Sequence, residues 1–325
     1  MSKPLLVADR DIPFLEGVFE PWFEVRYLRG AAISPADVRN AVALVVRTRT
    51  RCDAALLSGS AVRIVATATI GMDHIDLNFC DSHGITVASA PGCNAAAVAQ
   101  YVSCALRALS LDRPGAVLGV VGVGHVGKLV AEVGRRAGMR VLLNDPPREA
   151  AEGPQGFTPL PELLAQADVV TLHIPLWPEN RDFADAAFFS SMKPGASFIN
   201  ASRGEAVDEA ALLAARPKLD KLVLDVWKKE PDINRDLLAA ADIATPHIAG
   251  YSIQGKINGT RAVVCAVGET FGIAALKTFT VTGVPLPTDP YDIMQDDAKL
   301  RSHPELFEQL RSNYPYRNDF SSSRI

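Results

Sequence analysis

At 325 residues the chain is long enough for about two domains of roughly 100 to 200 residues, each able to bury its own core. Its 48% apolar and 22% charged residues are those of a globular protein and exclude disorder over most of its length. Thirty-three basic against thirty-seven acidic residues leave a formal charge of -4, so no positive field invites nucleic acid and a small-molecule partner is expected. Five cysteines (Cys52, Cys80, Cys93, Cys104, Cys265) are odd in number and form no CxxC pair, which suits free thiols in a reducing compartment. No signal-length apolar run follows Met1, and no run of about 18 apolar residues occurs elsewhere, so a cytoplasmic protein without membrane contact is expected.

In chain order, short β-branched runs at 5–8, 42–46, 63–67 and 86–88 predict four strands of a small α/β unit, with helices between them. After Pro91-Gly92 the pattern turns helical. Asn94 is placed to cap a helix over 95–109 that reads as a bridge between domains, and Pro114-Gly115 closes the short link that follows. Six further strands are predicted at 117–121, 140–143, 169–172, 197–199, 222–224 and 243–244, again with helices between, the pattern of a doubly wound parallel sheet. A helix over 252–275 can carry the chain back to the first unit, which would make that domain discontinuous. Beyond 278, prolines at 285, 287, 290, 304 and 315 leave room for one short amphipathic helix at 304–311.

Gly122-Val123-Gly124-His125-Val126-Gly127 follows the apolar strand 117–121 and opens a helix that Gly138 is placed to end. Gly122 permits a tight turn, Gly124 lets a pyrophosphate approach the backbone, and Gly127 lets the helix pack on the strand. Free amide donors and the positive helix end then suit phosphate. Eighteen residues on, Asp145 ends the next strand, where a carboxylate can accept from both ribose hydroxyls and would repel a 2′-phosphate. NAD is therefore the expected cofactor, with Arg148 close enough to leave room for NADP and Asp145 also suited to a turn before Pro146-Pro147.

Three segments at the carboxyl ends of late strands carry polar side chains: Asn200 to Gly204, Asp225 to Pro231 and Thr245 to Tyr251. Ligands bind at that edge of open α/β sheets. Singly, each residue has an ordinary structural explanation. Together, the order of glycine-rich turn, Arg203, Glu230 and His247 resembles the D-isomer-specific 2-hydroxyacid dehydrogenases over nearly the whole chain.

The resemblance implies a Rossmann-type domain (93–251, with the bridging helix) inserted into a flavodoxin-like α/β substrate domain (1–92 and 252–278), with the active site in the cleft between them. It implies that Arg203 grips the substrate carboxylate, that His247 is the acid/base and that Glu230 pairs with it. Each role is chemically apt. A guanidinium fork matches a carboxylate, an imidazole can take a hydroxyl proton near neutrality, and a neighbouring carboxylate fixes the tautomer and favours the imidazolium. Further matches put Ala201, Ser202, Asp225 and Gly250 at the nicotinamide and its ribose, His125 and Val126 in the pyrophosphate turn, and Ile174 against the cofactor. His173 reads as a strand-end residue.

Val46 to Thr50, Thr67 to His74 and His247 to Lys256 resemble more narrowly a branch of the family that oxidises a phosphorylated four-carbon 2-hydroxy acid. Tyr291-Asp292, Asp296-Asp297 and the run from Phe307 to Phe320 are similar to that branch's added C-terminal dimerisation segment, here 279–325, which implies a homodimer. On this reading Thr48, Thr69 and Tyr251 contact substrate. If 47–51 stays extended, Arg47, Arg49 and Arg51 share one face, and Arg47 is the favoured phosphate-side group.

Two departures stand out. The link 111–116 is short where the branch is usually longer, in a region its dimers use, and Gln100 stands where an acidic residue is usual. His74, Cys80 and His83 lack a fourth ligand, so no metal is expected. Two alternatives stay open: a phosphoglycerate- or glyoxylate-type dehydrogenase, and an NAD-sensing binding protein on the same fold.

Overall fold

A computed structural model describes residues 2–319. The chain divides into two units, the first running to Asn94 and including Ser252–Leu286, the second comprising Ala95–Tyr251 and the chain from Pro287 onward. The boundaries thus fall at 94/95, 251/252 and 286/287, and the C-terminal segment belongs with the second unit from Pro287.

The first unit is built on a five-stranded, all-parallel sheet of β1 (Leu5–Asp9), β2 (Glu24–Leu28), β3 (Ala41–Val46), β4 (Ile64–Thr67) and β5 (Thr86–Ala88). Its order, β2-β1-β3-β4-β5, is that of flavodoxin-like sheets. β3 and β4 are apolar almost without interruption because both of their faces are covered. Val263, Val264 and Val267 of the helix Ile253–Phe271 cover one face together with Phe19 and Phe23, while Val38, Leu56, Leu57 and Ile85 cover the other. That helix starts where Ser252 Oγ accepts from the Gly255 amide at 2.9 Å and ends at Gly272 in the left-handed conformation.

β2 was not among the predicted strands. It pairs only with β1, and its Glu-Val-Arg-Tyr-Leu sequence has no fully buried residue. The run after Val46 also differs from expectation. Instead of staying extended it turns, with the Thr50 amide donating to Arg47 O at 3.3 Å, so the arginine and threonine faces do not form.

The second unit has six parallel strands, β6 (Val117–Val121), β7 (Arg140–Asn144), β8 (Val169–Leu172), β9 (Ser197–Asn200), β10 (Leu222–Leu224) and β11 (Ile243–Ala244), in the order β11-β10-β9-β8-β6-β7. The Rossmann order would add an edge strand beyond β7. Here the loop at Thr158 reaches that edge, its amide donating to Leu143 O at 2.6 Å and its carbonyl accepting from Asn144 Nδ2 at 2.9 Å. The order still reverses at β6, so the carboxyl ends of β6 and β8 flank the switch point where such sheets bind ligands.

The helix Ala95–Ala108 packs against His125–Arg136. Asn94 does not cap it as expected: the Asn94 Oδ1 is buried without a hydrogen-bond partner.

The C-terminal segment docks on the open edge of this sheet through the helix Ile293–Ser302, where Asp297 Oδ1 accepts from the Ala244 amide of β11 at 2.7 Å. Arg301 joins Asp297 to the carbonyls of Leu238 and Ala241. An edge strand that would otherwise expose its amides is thereby capped. Arg317, 7% exposed, threads inward. Its Nε donates to Gln100 Oε1 at 2.9 Å, its other nitrogens reach the carbonyls of Ala97, Ile248, Ala249 and Tyr251, and it stacks on Tyr291. Gln100 thus performs a helix contact with a neutral amide, receiving Arg317 and giving its own N–H to Asn318 O at 2.9 Å. The Phe320 end of the predicted segment lies outside the described residues. Among the described residues no helix is long and apolar enough to cross a membrane.

Candidate active site

At the switch point, β6 runs straight into the glycine turn. Gly122 has φ +84°, and a Cβ there would lie 2.5 Å from the His173 carbonyl at the end of β8, so no other residue fits. A Cβ on Gly127 would strike the Gly122 carbonyl at 2.0 Å, whereas one on Gly124 would meet no protein atom within 4 Å and would project into open space over the turn. His125 is exposed at the first turn of the twelve-residue helix His125–Arg136, and Val126 is partly buried behind it. This is the steric signature of a pyrophosphate cradle: tight where helix meets strand, vacant where a ligand's oxygens approach the amides.

Asp145 closes the cradle. Its Oδ2 accepts from the Val123 amide at 2.7 Å, and its Oδ1 caps the helix Pro146–Glu152 by accepting from the Arg148 amide at 3.1 Å. Both the capping and the ribose roles fit, because each oxygen keeps a second lone pair. Arg148 is occupied: Nε donates to Glu152 at 2.6 Å, Nη1 to the Val123 carbonyl at 2.9 Å, and the guanidinium lies over Phe157. Ile174 Cγ2 lies 3.0 Å from where a Gly122 Cβ would sit, on the same side of the turn.

Farther along the same sheet edge, three loops interlock around Trp227. The Gly204 position approaches the Trp227 carbonyl carbon so closely that a Cβ would fall 2.0 Å from it, which ties the loop carrying Ala201, Ser202 and Arg203 to the loop carrying Glu230. The indole Nε1 donates to Thr245 O at 3.0 Å, tying in the loop that carries His247. Within the first loop, Asn200 Oδ1 accepts from the Ser202 amide and hydroxyl, Asn200 Nδ2 donates to Arg203 O at 3.0 Å, and Arg203 Nη1 donates to Ser202 O at 2.8 Å.

Glu230 and His247 meet directly. Nδ1 of the ring lies 3.0 and 2.8 Å from the two carboxylate oxygens, and Oε1 also accepts from the Trp227 amide at 3.1 Å. This arrangement makes Nδ1 the protonated nitrogen and leaves Nε2 to exchange a proton. Burial would raise the Glu230 carboxyl, but the His247 ring and then Arg311 outweigh it and hold the group below the usual glutamate range.

Asp225, at the end of β10, is 1% exposed and organises the His247 loop rather than facing solvent. Its Oδ1 accepts from Thr245 Oγ1 at 2.6 Å and the Ile248 amide at 2.8 Å, and its Oδ2 accepts from the Ala249 amide at 2.9 Å. Burial pushes its carboxyl up, against the His247 charge and these donors. Behind Thr245, the buried Tyr101 hydroxyl completes the chain at 2.8 Å. Gly250 follows this turn, and Tyr251 packs edge-on against Tyr314 at 6.0 Å.

Asn200, Trp227 and Thr245 lie in the three polar segments that the sequence marks but carry no role there, and Tyr101 lies outside those segments. Their signal is only a polar atom on a residue destined for burial, visible once the loops are assembled.

In the first unit, Arg47 follows β3 beside the end of β1. Its Nε lies 3.3 Å from Asp9 Oδ2 and its Nη2 3.5 Å from Asp11 Oδ2, with Asp9 fully buried. These two carboxylates orient its guanidinium at that edge. Thr48 is exposed, and Thr69 Oγ1 is joined to Thr67 Oγ1 at 2.7 Å and to Gly71 O at 3.2 Å.

Residues 98–249 match the family described as D-isomer specific 2-hydroxyacid dehydrogenase, NAD binding domain. Over 98% of this chain and 98% of the relative, it is 43% identical to an erythronate-4-phosphate dehydrogenase of Bacteroides fragilis. The chain belongs to the erythronate-4-phosphate dehydrogenase family. A second member, from Porphyromonas gingivalis, is 40% identical over 98% of this chain and 95% of its own. Among solved structures, a D-lactate dehydrogenase from Aquifex aeolicus, complexed with NAD and lactic acid, superposes with a TM-score of 0.71 at 26% identity over 86% of this chain and all of that one. The cofactor is NAD.

Proposed function

We propose that the protein oxidises 4-phospho-D-erythronate to 2-oxo-3-hydroxy-4-phosphobutanoate with NAD, a step of pyridoxal 5′-phosphate biosynthesis. The observation that carries the chemistry is the His247–Glu230 contact on the same sheet edge as the glycine turn. Full-length identity near 40% to erythronate-4-phosphate dehydrogenases carries the choice of substrate.

NAD held at the Gly122–Gly127 turn and Asp145 would supply the hydride acceptor for the carbon bearing the substrate hydroxyl. His247 Nε2 receives the hydroxyl proton, while Glu230 holds the ring by Nδ1 and balances the imidazolium that forms. Arg203 binds the carboxylate through its fork, and the Asn200 bonds fix the loop that presents it. Asp145 accepts from the adenosine ribose. The Gly122–Gly127 turn with His125 and Val126, together with Ile174, Ala201, Ser202 and Gly250, lines the cofactor, and Asp225 shapes that lining through the amides of 248 and 249. Thr48, Thr69 and Tyr251 contact substrate in this reading, and Arg47, oriented by Asp9 and Asp11, is the phosphate-side group. The protein works as a cytoplasmic homodimer.

The test is the comparison of 4-phosphoerythronate with erythronate, which lacks the phosphate. A kcat/KM at least a hundredfold higher for the phosphorylated acid is expected; equal values would replace the reading with a general 2-hydroxyacid dehydrogenase.

A further inference from the structure

The last described helix, Phe307–Ser312, places a cation on the catalytic carboxylate. Arg311 Nη1 lies 3.2 Å from Glu230 Oε2, the same oxygen that lies 2.8 Å from His247 Nδ1. The helix is anchored by Phe307, fully buried in the core of the second unit, and the segment around it is fixed by the Asp297–Arg301 pair and by Arg317. The Arg311 side chain is 22% exposed and pairs with Glu230, itself 16% exposed. A solvated surface arginine would have neither this burial nor this address.

We propose that Arg311 is a positioning residue for the His247–Glu230 pair, fixing the carboxylate through Oε2 and drawing its charge away from the imidazole. This rests on the reading of His247 as the base for alcohol oxidation. Such a base must be neutral to accept the hydroxyl proton, and an adjacent carboxylate favours the charged form of an imidazole. A second cation on the same oxygen divides that attraction while the pair keeps its geometry. The other charged groups around the pair do not substitute for it. Asp225 is an anion on the backbone side of the His247 loop, Arg203 Nη1 is turned to Ser202 O, and Lys228 is engaged by Asp182 at 2.5 Å. The C-terminal segment thereby completes the site from within its own chain.

The test titrates His247 by NMR in the free protein and follows the pH dependence of kcat/KM with 4-phosphoerythronate and NAD, for wild type, Arg311→Gln and Arg311→Lys. In Arg311→Gln both midpoints should rise by roughly half to one pH unit, oxidation at pH 7 should slow about three- to tenfold, and the rate should recover at higher pH. Arg311→Lys, which keeps the charge, should fall between the two with a folded spectrum. An NMR midpoint unmoved in Arg311→Gln overturns the proposal, and so does a midpoint that moves equally in Arg311→Lys. The NMR arm needs no substrate. A shifted midpoint with no turnover of any hydroxy acid therefore upholds the role of Arg311 on the pair and removes the dehydrogenase reading instead.

Discussion

The His247 amide donates to the Asp225 carbonyl at 2.7 Å, and the Asp225 carboxylate takes the next two amides in turn, so one residue holds the backbone of His247 from both its ends. His247 needs holding, because its φ of +57° is one that side-chain-bearing residues rarely adopt, at a cost of roughly 1 to 3 kcal/mol. Asp225→Asn would keep one acceptor and aim an amide N–H at a backbone donor. We expect it to lower unfolding stability by about 1 to 3 kcal/mol in urea and to reduce kcat more than tenfold. An unchanged kcat would show that the loop keeps its shape without the carboxylate.

Glu230→Gln tests the pair from the side opposite to Arg311. The amide retains an oxygen for Nδ1 but not the charge, so the midpoint of the pH–rate profile should fall by about one unit, opposite in sign to the effect of Arg311→Gln. A profile identical to wild type would remove Glu230 from the mechanism.

Asp145→Asn can keep the cap on the Pro146–Glu152 helix through its one oxygen while losing the bond from the Val123 amide and the negative charge proposed to meet the ribose. NAD affinity, read by isothermal calorimetry, should fall about tenfold, and the preference for NAD over NADP should narrow. Arg148 is already bound to Glu152 and Val123 O, so no full reversal toward NADP is expected. Undiminished NAD affinity would leave Asp145 as a helix cap only.

His173 gives a pH effect on folding. Burial drives its ring down to about 3 from 6.5, with Nε2 on Thr171 Oγ1 at 2.9 Å and Nδ1 sealed from solvent without a partner. The unfolded chain binds a proton there below pH 6.5 and the folded chain does not. The stabilisation is therefore complete above 6.5 and is lost as pH falls toward 3, at up to about 1.4 kcal/mol per unit. Between pH 6.5 and 5 the wild type should lose about 2 kcal/mol more than His173→Gln in urea unfolding. Parallel curves would mean that the ring titrates freely in the folded state.

Much of this architecture is legible in the sequence because parallel strands covered on both faces read as unbroken apolar runs. Val117–Val121, Val169–Leu172 and Leu222–Leu224 are of that kind, each fully buried. β2 is illegible for the converse reason: an edge strand with Glu24 and Arg26 exposed carries no such run. At the site, Glu230 and His247 stand 17 positions apart and their pairing is visible only through family resemblance, since nothing in composition brings two loops together. The cap predicted at Asn94 fails because local propensity cannot foresee which polar atom tertiary packing will bury. Arg311 lies 81 residues from its partner in a proline-rich tail, where an arginine reads as a surface charge.

The most direct measurement is nicotinamide absorbance at 340 nm with 4-phosphoerythronate and with 3-phosphoglycerate, in wild type and in His247→Ala, alongside NAD affinity for both proteins. The wild type should turn over 4-phosphoerythronate the more efficiently, and His247→Ala should lose about 10²- to 10⁴-fold in rate with NAD affinity nearly unchanged. A flat trace with both acids beside tight NAD binding, or a variant as active as the wild type, would contradict the assignment of this edge as a dehydrogenase site.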